Sequence, residues 1–241
     1  MDVSVVIPAY NEAKRIGATL DAVCAFLSAK SGLRWEVVVV DNRSKDDTAA
    51  VARSRAEKWP GIRVVREEQP GKGYAVTAGM LAATGAARLF MDADHSTTID
   101  HYDRMAPFLG EGYDVVIASL TEPGASVRNE GREPLWRVIL GKLGNKWIQV
   151  FAVWGIGDTQ RGFKMFSERA AKDIFPRLTV FGWGFDVEVL AIARARGYRI
   201  KEVPVHQWNN APDSKVNVWA YPQVLLQTLL VFRNRLFGKY R

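Results

Sequence analysis

The sequence is nearly without cysteine: Cys24 stands alone among 241 residues. A disulfide framework within one chain is therefore excluded. Cys24 instead falls on an apolar stripe with Leu20, Val23 and Leu27, which reads as the core face of a helix. Long apolar runs are missing too. No stretch approaches the roughly 20 residues that a membrane-spanning helix needs. The opening Met1-Asp2-Val3-Ser4-Val5-Val6-Ile7 has neither the length nor the basic start of a signal peptide. There is no internal repeat and no low-complexity tract. Acids are outnumbered, 26 against 33 Lys and Arg, for a net charge of +7. That excess suits an anionic partner: a nucleotide, a phospholipid surface or nucleic acid. The basic residues are dispersed or interleaved with apolar helix, not gathered into a stripe, which argues against nucleic acid. The expectation is a cytoplasmic protein, soluble or held at a membrane surface.

What is present alternates. Apolar runs at Val3–Ile7, Trp35–Val40, Ile62–Val65, Ala87–Met91 and Val115–Ala118 read as buried strands. Between them, Thr48–Trp59 and Tyr74–Thr84 carry helical patterns, as does the stripe around Cys24. Strands alternating with helices predict an α/β fold with a mostly parallel, doubly wound sheet. Further on, Ser167 predicts the cap of a helix running to Phe175, Asp186–Arg196 another helix closed by Gly197, and Tyr198–Val205 an edge strand containing Pro204. Glu122–Arg137 reads as a flexible loop. Leu135–Trp154 and Tyr221–Phe237 read as amphipathic helices with basic edges. Both have the form of helices that lie in a membrane interface; core helices, or dimer helices of a homo-oligomer, would share the pattern.

In such sheets ligands bind beyond the carboxyl ends of the strands. Three polar groups stand there. "FMDADHST" places Asp92 and Asp94 around Ala93 just after a strand. Two carboxylates so placed can share a hard dication and leave positions open for pyrophosphate oxygens; a solvated turn uses the same residues. "IPAYNEAKRI" opens the first helix, where backbone amides suit a nucleotide and Glu12 can accept from a ribose or base, or simply cap the helix. Asp41 in "VDNRSKDDT" can accept from a base N–H or start a turn, while Asp46-Asp47-Thr48 reads as helix capping. "QPGKGYA" is a glycine loop with Lys72, without the spacing of a P-loop. "GDTQRGFKMF" clusters Asp158, Gln160, Arg161 and Lys164, and "GWGFDVEV" adds Asp186 and Glu188. Aromatics beside polar groups fit a sugar or acceptor subsite, and equally a core.

In order, "VVIPAYNEAKRI", "VVDNRSKDDT", "GKGYAVTAGM" and "MDADHST" resemble the family 2 inverting glycosyltransferases of GT-A fold. "DTQRGFKMF", "GWGFDVEVLAIARARGYRIKEVPV" and "DSKV" look like the polyprenyl-phosphate glycosyltransferases, with the dolichyl-phosphate β-glucosyltransferases nearest and the mannose synthases next. The likeness covers about residues 2–216, which it implies are a GT-A catalytic domain, leaving 217–241 as a C-terminal interfacial helix. It also implies roles. Pro8, Ala9, Tyr10, Glu12 and Asp41 would hold the nucleoside, and Asp41 would grip the imide of the base. Lys72 would touch the diphosphate. Asp92, Ala93 and Asp94 would close on the nucleotide sugar, with Mg²⁺ or Mn²⁺ on Asp92 and, more directly, Asp94. Asp158, Gln160 and Arg161 would line the sugar and acceptor site, and Lys215 would help hold phosphate. The expected partners are UDP-glucose, a polyprenyl phosphate and the cytoplasmic face of a membrane.

The sequence departs from that pattern in places. Leu120 stands where this group usually has Arg, so Arg128, Arg132 or Arg137 would have to clamp the acceptor phosphate. Asn42-Arg43 stands where Asp-Gly is common. "QWNNAPDSKV" differs from the usual stretch, and the spanning helices of relatives are not found here. GDP-mannose as donor, a non-lipid acceptor using Asp186 or Glu188 as base, and a non-catalytic nucleotide-sugar-binding module stay open on the sequence.

Overall fold

The computed structural model describes residues 1–127, 135–208 and 220–241. Five strands fall where the apolar runs predict them, β1 (Val3–Ala9), β2 (Trp35–Asp41), β3 (Ile62–Arg66), β4 (Ala87–Met91) and β5 (Val115–Ser119), and a sixth, β7 (Ile200–Pro204), is the expected edge strand. A further strand, β6 (Phe163–Ser167), lies across the end of the Gly157–Phe166 motif, where the residue pattern predicts none. The helices are α1 (Ile16–Ser28), α2 (Thr48–Lys58), α3 (Lys72–Ala82), α4 (His101–Gly110), α5 (Leu135–Phe151), α6 (Glu168–Ile174), α7 (Phe185–Ala195) and α8 (Ala220–Leu236). Of these, α4 is the one the sequence pattern does not announce. It carries Pro107 and buries only His101 and Met105, so its apolar stripe is thin.

The strands form one sheet in the order β3-β2-β1-β4-β6-β5-β7. Strand β6 runs antiparallel to β4 and β5; the other pairings are parallel. Alternate side chains leave opposite faces of each strand. Thus Val5 and Ile7 join Leu20, Val23 and Cys24 in one core layer, while Val6 joins Ala75, Val76 and Met80 in the other. Both faces are covered, as parallel sheets require. The pucker of the topology lies at β1: the chain winds outward through β2 and β3, then returns to the other side of β1 as β4. A crevice opens there, beyond the carboxyl ends of the strands.

Expected details of the helix ends hold. Ser167 Oγ accepts from the Ala170 N–H, capping α6, and Gly197 takes the positive φ of 76° that ends α7. Capping of α2 differs in its agent. Asp47 makes no side-chain cap, and Asp46 accepts the Thr48 N–H at 3.1 Å instead. Helix α8 packs on the domain through polar contacts as well as apolar ones. Gln227 Oε1 accepts the Gly184 N–H at 2.7 Å, and Asn234 Nδ2 donates to Thr179 Oγ1 at 2.9 Å. Among the described residues no helix is long and apolar enough to cross a membrane.

Candidate active site

The loops after β1 and β2 form one wall of the crevice because they are tied to each other. Asn11 N–H donates to Ser44 Oγ at 3.0 Å, and Lys45 N–H donates back to Asn11 Oδ1 at 2.8 Å. Glu12 N–H donates to Thr48 Oγ1 at 2.7 Å, and Ala13 N–H to Asp46 Oδ2 at 3.1 Å. Three non-glycine residues at this end adopt positive φ: Asn11, Arg43 and His95. Such backbone is costly and persists where surroundings impose it.

Asn42 builds the next wall. Its Nδ2 donates to the Glu67 and Gln69 carbonyls at 3.2 and 2.6 Å, and its Oδ1 accepts the Gly71 N–H at 2.9 Å. The glycine loop is thereby fastened to the end of β2. Gly71 has φ +142° and lies so close to Phe181 that a Cβ would stand 2.8 Å from its carbonyl oxygen. Gly73 N–H donates to that same carbonyl at 3.0 Å, and Tyr74 stacks on Phe181 at 3.8 Å. These contacts deliver Lys72, at the start of α3, to the floor of the crevice.

The D-x-D motif follows β4. Asp92 N–H donates to the Gly162 carbonyl at 3.0 Å, and a Cβ at Gly162 would collide with the Asp92 carboxylate. Lys72 Nζ lies 2.6 Å from Asp92 Oδ1. Burial acts against the Lys72 charge, but Asp92, Asp186 and Asp94 outweigh it and hold its pKa above the ordinary lysine value. Asp94 Oδ1 accepts the Ser96 N–H at 3.0 Å. Burial pushes the His95 imidazole down, in keeping with a neutral ring whose Nε2 accepts the Ile99 N–H.

Together these elements enclose a cavity of about 800 Å³. Pro8, Ala9, Tyr10, Glu12, Lys72, Asp92, Ala93 and Asp94, all singled out from the sequence, stand in its wall. Asp41 does not line it; it is buried at the end of β2 and its Oδ1 accepts the Ser44 N–H at 3.3 Å. The wall also holds Arg15 and Lys45, to which the sequence reading assigns no role, Asn42 and Arg43, which it marks only as a departure from the family pattern, and Trp183, whose motif fits a subsite or a core equally. Arg15 pairs with Glu12 at 2.8 Å and keeps a buried Nη1 with no acceptor. Its signal was legible: a cation one helical turn beyond Glu12 in a loop already marked for a nucleotide.

Beside the cavity, the loop before β6 is engaged internally. Asp158 Oδ2 accepts the Leu120 N–H and Arg161 Nε, each at 3.1 Å. Arg161 lies over the Trp208 ring at 4.7 Å, and Gln160 Nε2 donates to the Trp183 carbonyl at 3.3 Å. Lys164 and Asp186 form a buried ion pair at 2.6 Å. Burial pushes that lysine down and that acid up, each against the attraction of the other. Glu188 accepts from Thr179 N–H and Oγ1, Val180 N–H and the Tyr240 hydroxyl, all at 2.6–2.7 Å. Arg128, Arg132 and Lys215 lie outside the described residues, as does the Arg137 side chain.

A divalent metal fits the carboxylates present. Among the described residues no three acidic or imidazole groups converge, so Asp92 and Asp94 could not cage an ion alone. Two carboxylates completed by phosphate oxygens are the usual protein share of a magnesium site. The Lys72 ammonium at Asp92 is itself a cation standing on one of them.

A mostly parallel sheet with one reversed strand, and a D-x-D pair beside a nucleotide-sized crevice, define a glycosyltransferase of GT-A type. Residues 4–175 match the family described as Glycosyl transferase family 2, and the chain belongs to that family. It is 37% identical over 240 residues to a dolichyl-phosphate beta-glucosyltransferase of Trichomonas vaginalis, covering 95% of this chain and 71% of that protein. The Drosophila melanogaster protein of the same name is 35% identical, covering 100% and 77%, and the human one 31%, covering 99% and 77%. In fold it is similar to the Mycobacterium tuberculosis glucosyl-3-phosphoglycerate synthase solved with Mn²⁺, UDP-glucose and phosphoglyceric acid. That likeness has a TM-score of 0.68 at 22% identity and covers 96% of this chain and 79% of that one.

Proposed function

We propose that this glycosyltransferase moves glucose from UDP-glucose to a polyprenyl phosphate of dolichyl type, by a dication-dependent single displacement that inverts the anomeric carbon. One contrast carries the reading. The acids beside the glycine loop line an open cavity, whereas those the sequence offered as alternative bases are buried outside its wall and held by interior partners. Asp186 holds Lys164, and Glu188 holds four donors. An alcohol acceptor needs a base to take its proton. A phosphate monoester arrives as an anion and needs cations to hold it in line. The names of the curated relatives support β-linked glucose and dolichyl phosphate; the neighbour with Mn²⁺ and UDP-glucose supports the donor.

In this reading Pro8, Ala9, Tyr10 and Glu12 hold the nucleoside, and Asp41 accepts the base imide after local adjustment of its turn. Lys72 holds the diphosphate. Asp92 and Asp94 hold Mg²⁺ or Mn²⁺, which when bound draws negative charge from the departing diphosphate. Gln160 and Arg161 face the sugar and the incoming phosphate, with Asp158 fixing the guanidinium, and Arg137 and Lys215 add charge. Residues 1–216 carry the transfer. The remaining helix presents Leu226, Leu229, Leu236 and Phe237 to solvent, with Arg233, Arg235 and Arg241 beside them. Leu143 and Val150 of α5, which packs on α8, and Trp154 just beyond α5 are exposed as well. Apolar side chains edged by cations suit the anionic cytoplasmic surface of a membrane.

The test is direct. The chain is incubated with Mn²⁺, UDP-glucose and dolichyl phosphate in phospholipid vesicles, with GDP-mannose and phosphoglycerate as rival donor and acceptor. Extractable lipid-linked glucose with a β-anomeric proton signal is expected. Mannose transfer alone, or glucose on phosphoglycerate with none on lipid, overturns the proposal.

A further inference from the structure

One contact in the cavity is unexpected for a metal site: the Lys72 ammonium sits 2.6 Å from Asp92, on the carboxylate that a dication needs. The contact is imposed by the frame around it. The first turn of α3 is pinned to Phe181 through the Gly73 N–H and the Tyr74 ring. Asp92 is held by the Gly162 carbonyl and has no room behind it, since even a Cβ at Gly162 would strike its carboxylate. Neither partner can retreat by moving its backbone. The ammonium is not held by Asp92 alone. Its Nζ lies over the Phe185 ring at 5.9 Å, in the field of Asp186, the next residue, which the buried Lys164 locks in place at 2.6 Å. Lys72 is also about a quarter exposed, so an incoming diphosphate can reach it.

We propose that Lys72 is a built-in competitor for the cation position on Asp92, releasing that carboxylate when a diphosphate arrives to take the ammonium. The inference rests on Asp92 and Asp94 as the metal site. Its consequence is order: dication alone binds poorly, and dication and nucleotide diphosphate strengthen each other. The bare enzyme is thereby kept from loading metal without donor. Reciprocal coupling of this kind is typically worth about 5- to 150-fold in affinity.

The experiment measures Mn²⁺ binding to the full chain by electron paramagnetic resonance of the free ion, with and without saturating UDP. Wild type, Lys72→Met, Lys72→Arg and Asp94→Ala are compared, each checked for folding by thermal melting. Wild type should bind Mn²⁺ weakly alone and at least about tenfold more tightly with UDP. Lys72→Met should bind Mn²⁺ alone at least about fivefold more tightly than wild type, and its gain from UDP, which still supplies phosphate oxygens to the ion, should be correspondingly smaller than that of wild type. Lys72→Arg keeps the charge and should retain the coupling. Mn²⁺ binding no tighter in Lys72→Met than in wild type, while Asp94→Ala abolishes it, overturns the competition and leaves the metal site standing. Binding that ignores Asp94→Ala, or no binding to wild type even with UDP, overturns the site itself and the competition with it.

Discussion

The two ends of the sheet are built on opposite terms. At the amino end, polar groups close on one another. Glu36, at the start of β2, accepts from Ser4 Oγ at 2.6 Å, from Thr84 N–H and Oγ1 at 2.7 Å each, and from Arg63 Nε at 2.9 Å. Arg88, 1% exposed, donates to the Met80 carbonyl at 2.6 Å. At the carboxyl end, backbone takes positive φ, Arg15 keeps an N–H without an acceptor, and Asp92 is satisfied by a lysine that has other uses. A buried polar group is costly unless paired. The first end lowers that cost as folding proceeds; the second leaves part of it for a ligand to lower.

Substitutions at the two ends should therefore divide activity from stability. Asp94→Ala is expected to reduce glucosyl transfer roughly 10³- to 10⁴-fold while leaving the melting temperature unchanged; a large drop in melting temperature would merge the two ends. Glu188→Ala, in the interior, should cost about 3–5 kcal/mol in urea unfolding, because it strands the Tyr240 hydroxyl and three further donors. Its surviving folded fraction should keep wild-type KM for the donor.

Acid gives a finer test. Although burial works against its charge, the Ser4, Thr84 and Arg63 donors hold the Glu36 carboxyl down at about 2, against an ordinary 4.5. A folded-state pKa below the unfolded one stabilises fully above the unfolded value. That stability is lost as pH falls from about 4.5 toward 2. Roughly 3 kcal/mol should disappear across this window by linkage. The Glu36→Gln variant should lack that part of the slope, and an unchanged slope would remove Glu36 from the account. The smallest effect is expected at the solvent side of α8. Leu226→Ser with Phe237→Ser should shift stability by no more than about 0.5 kcal/mol per site, yet weaken flotation with anionic vesicles. Undiminished flotation would free that face from any membrane role.

Much of this was legible in the residues. Strands β1 to β5 are short apolar runs with a polar stop, and the stops mark the crevice. Strand β6 escaped because Lys164 interrupts its run, and a lysine paired inside the core with Asp186 cannot be foreseen without knowing which elements meet. Its reversed direction has no local signature either. Helix α4 escaped because Pro107 and a thin apolar stripe give it no clear period. Within the site, the D-x-D pair and Lys72 stood out by type and spacing. Asn42 did not, although it secures the glycine loop. Its work is done across 25 to 29 residues of sequence, through backbone carbonyls and an amide that no motif displays.

Gln227 holds the amide of Gly184 from the inner side of α8, and Gly182 and Trp183, just before it, belong to the cavity wall. One hydrogen bond thus joins the last helix to the stretch that carries the indole of the chamber wall.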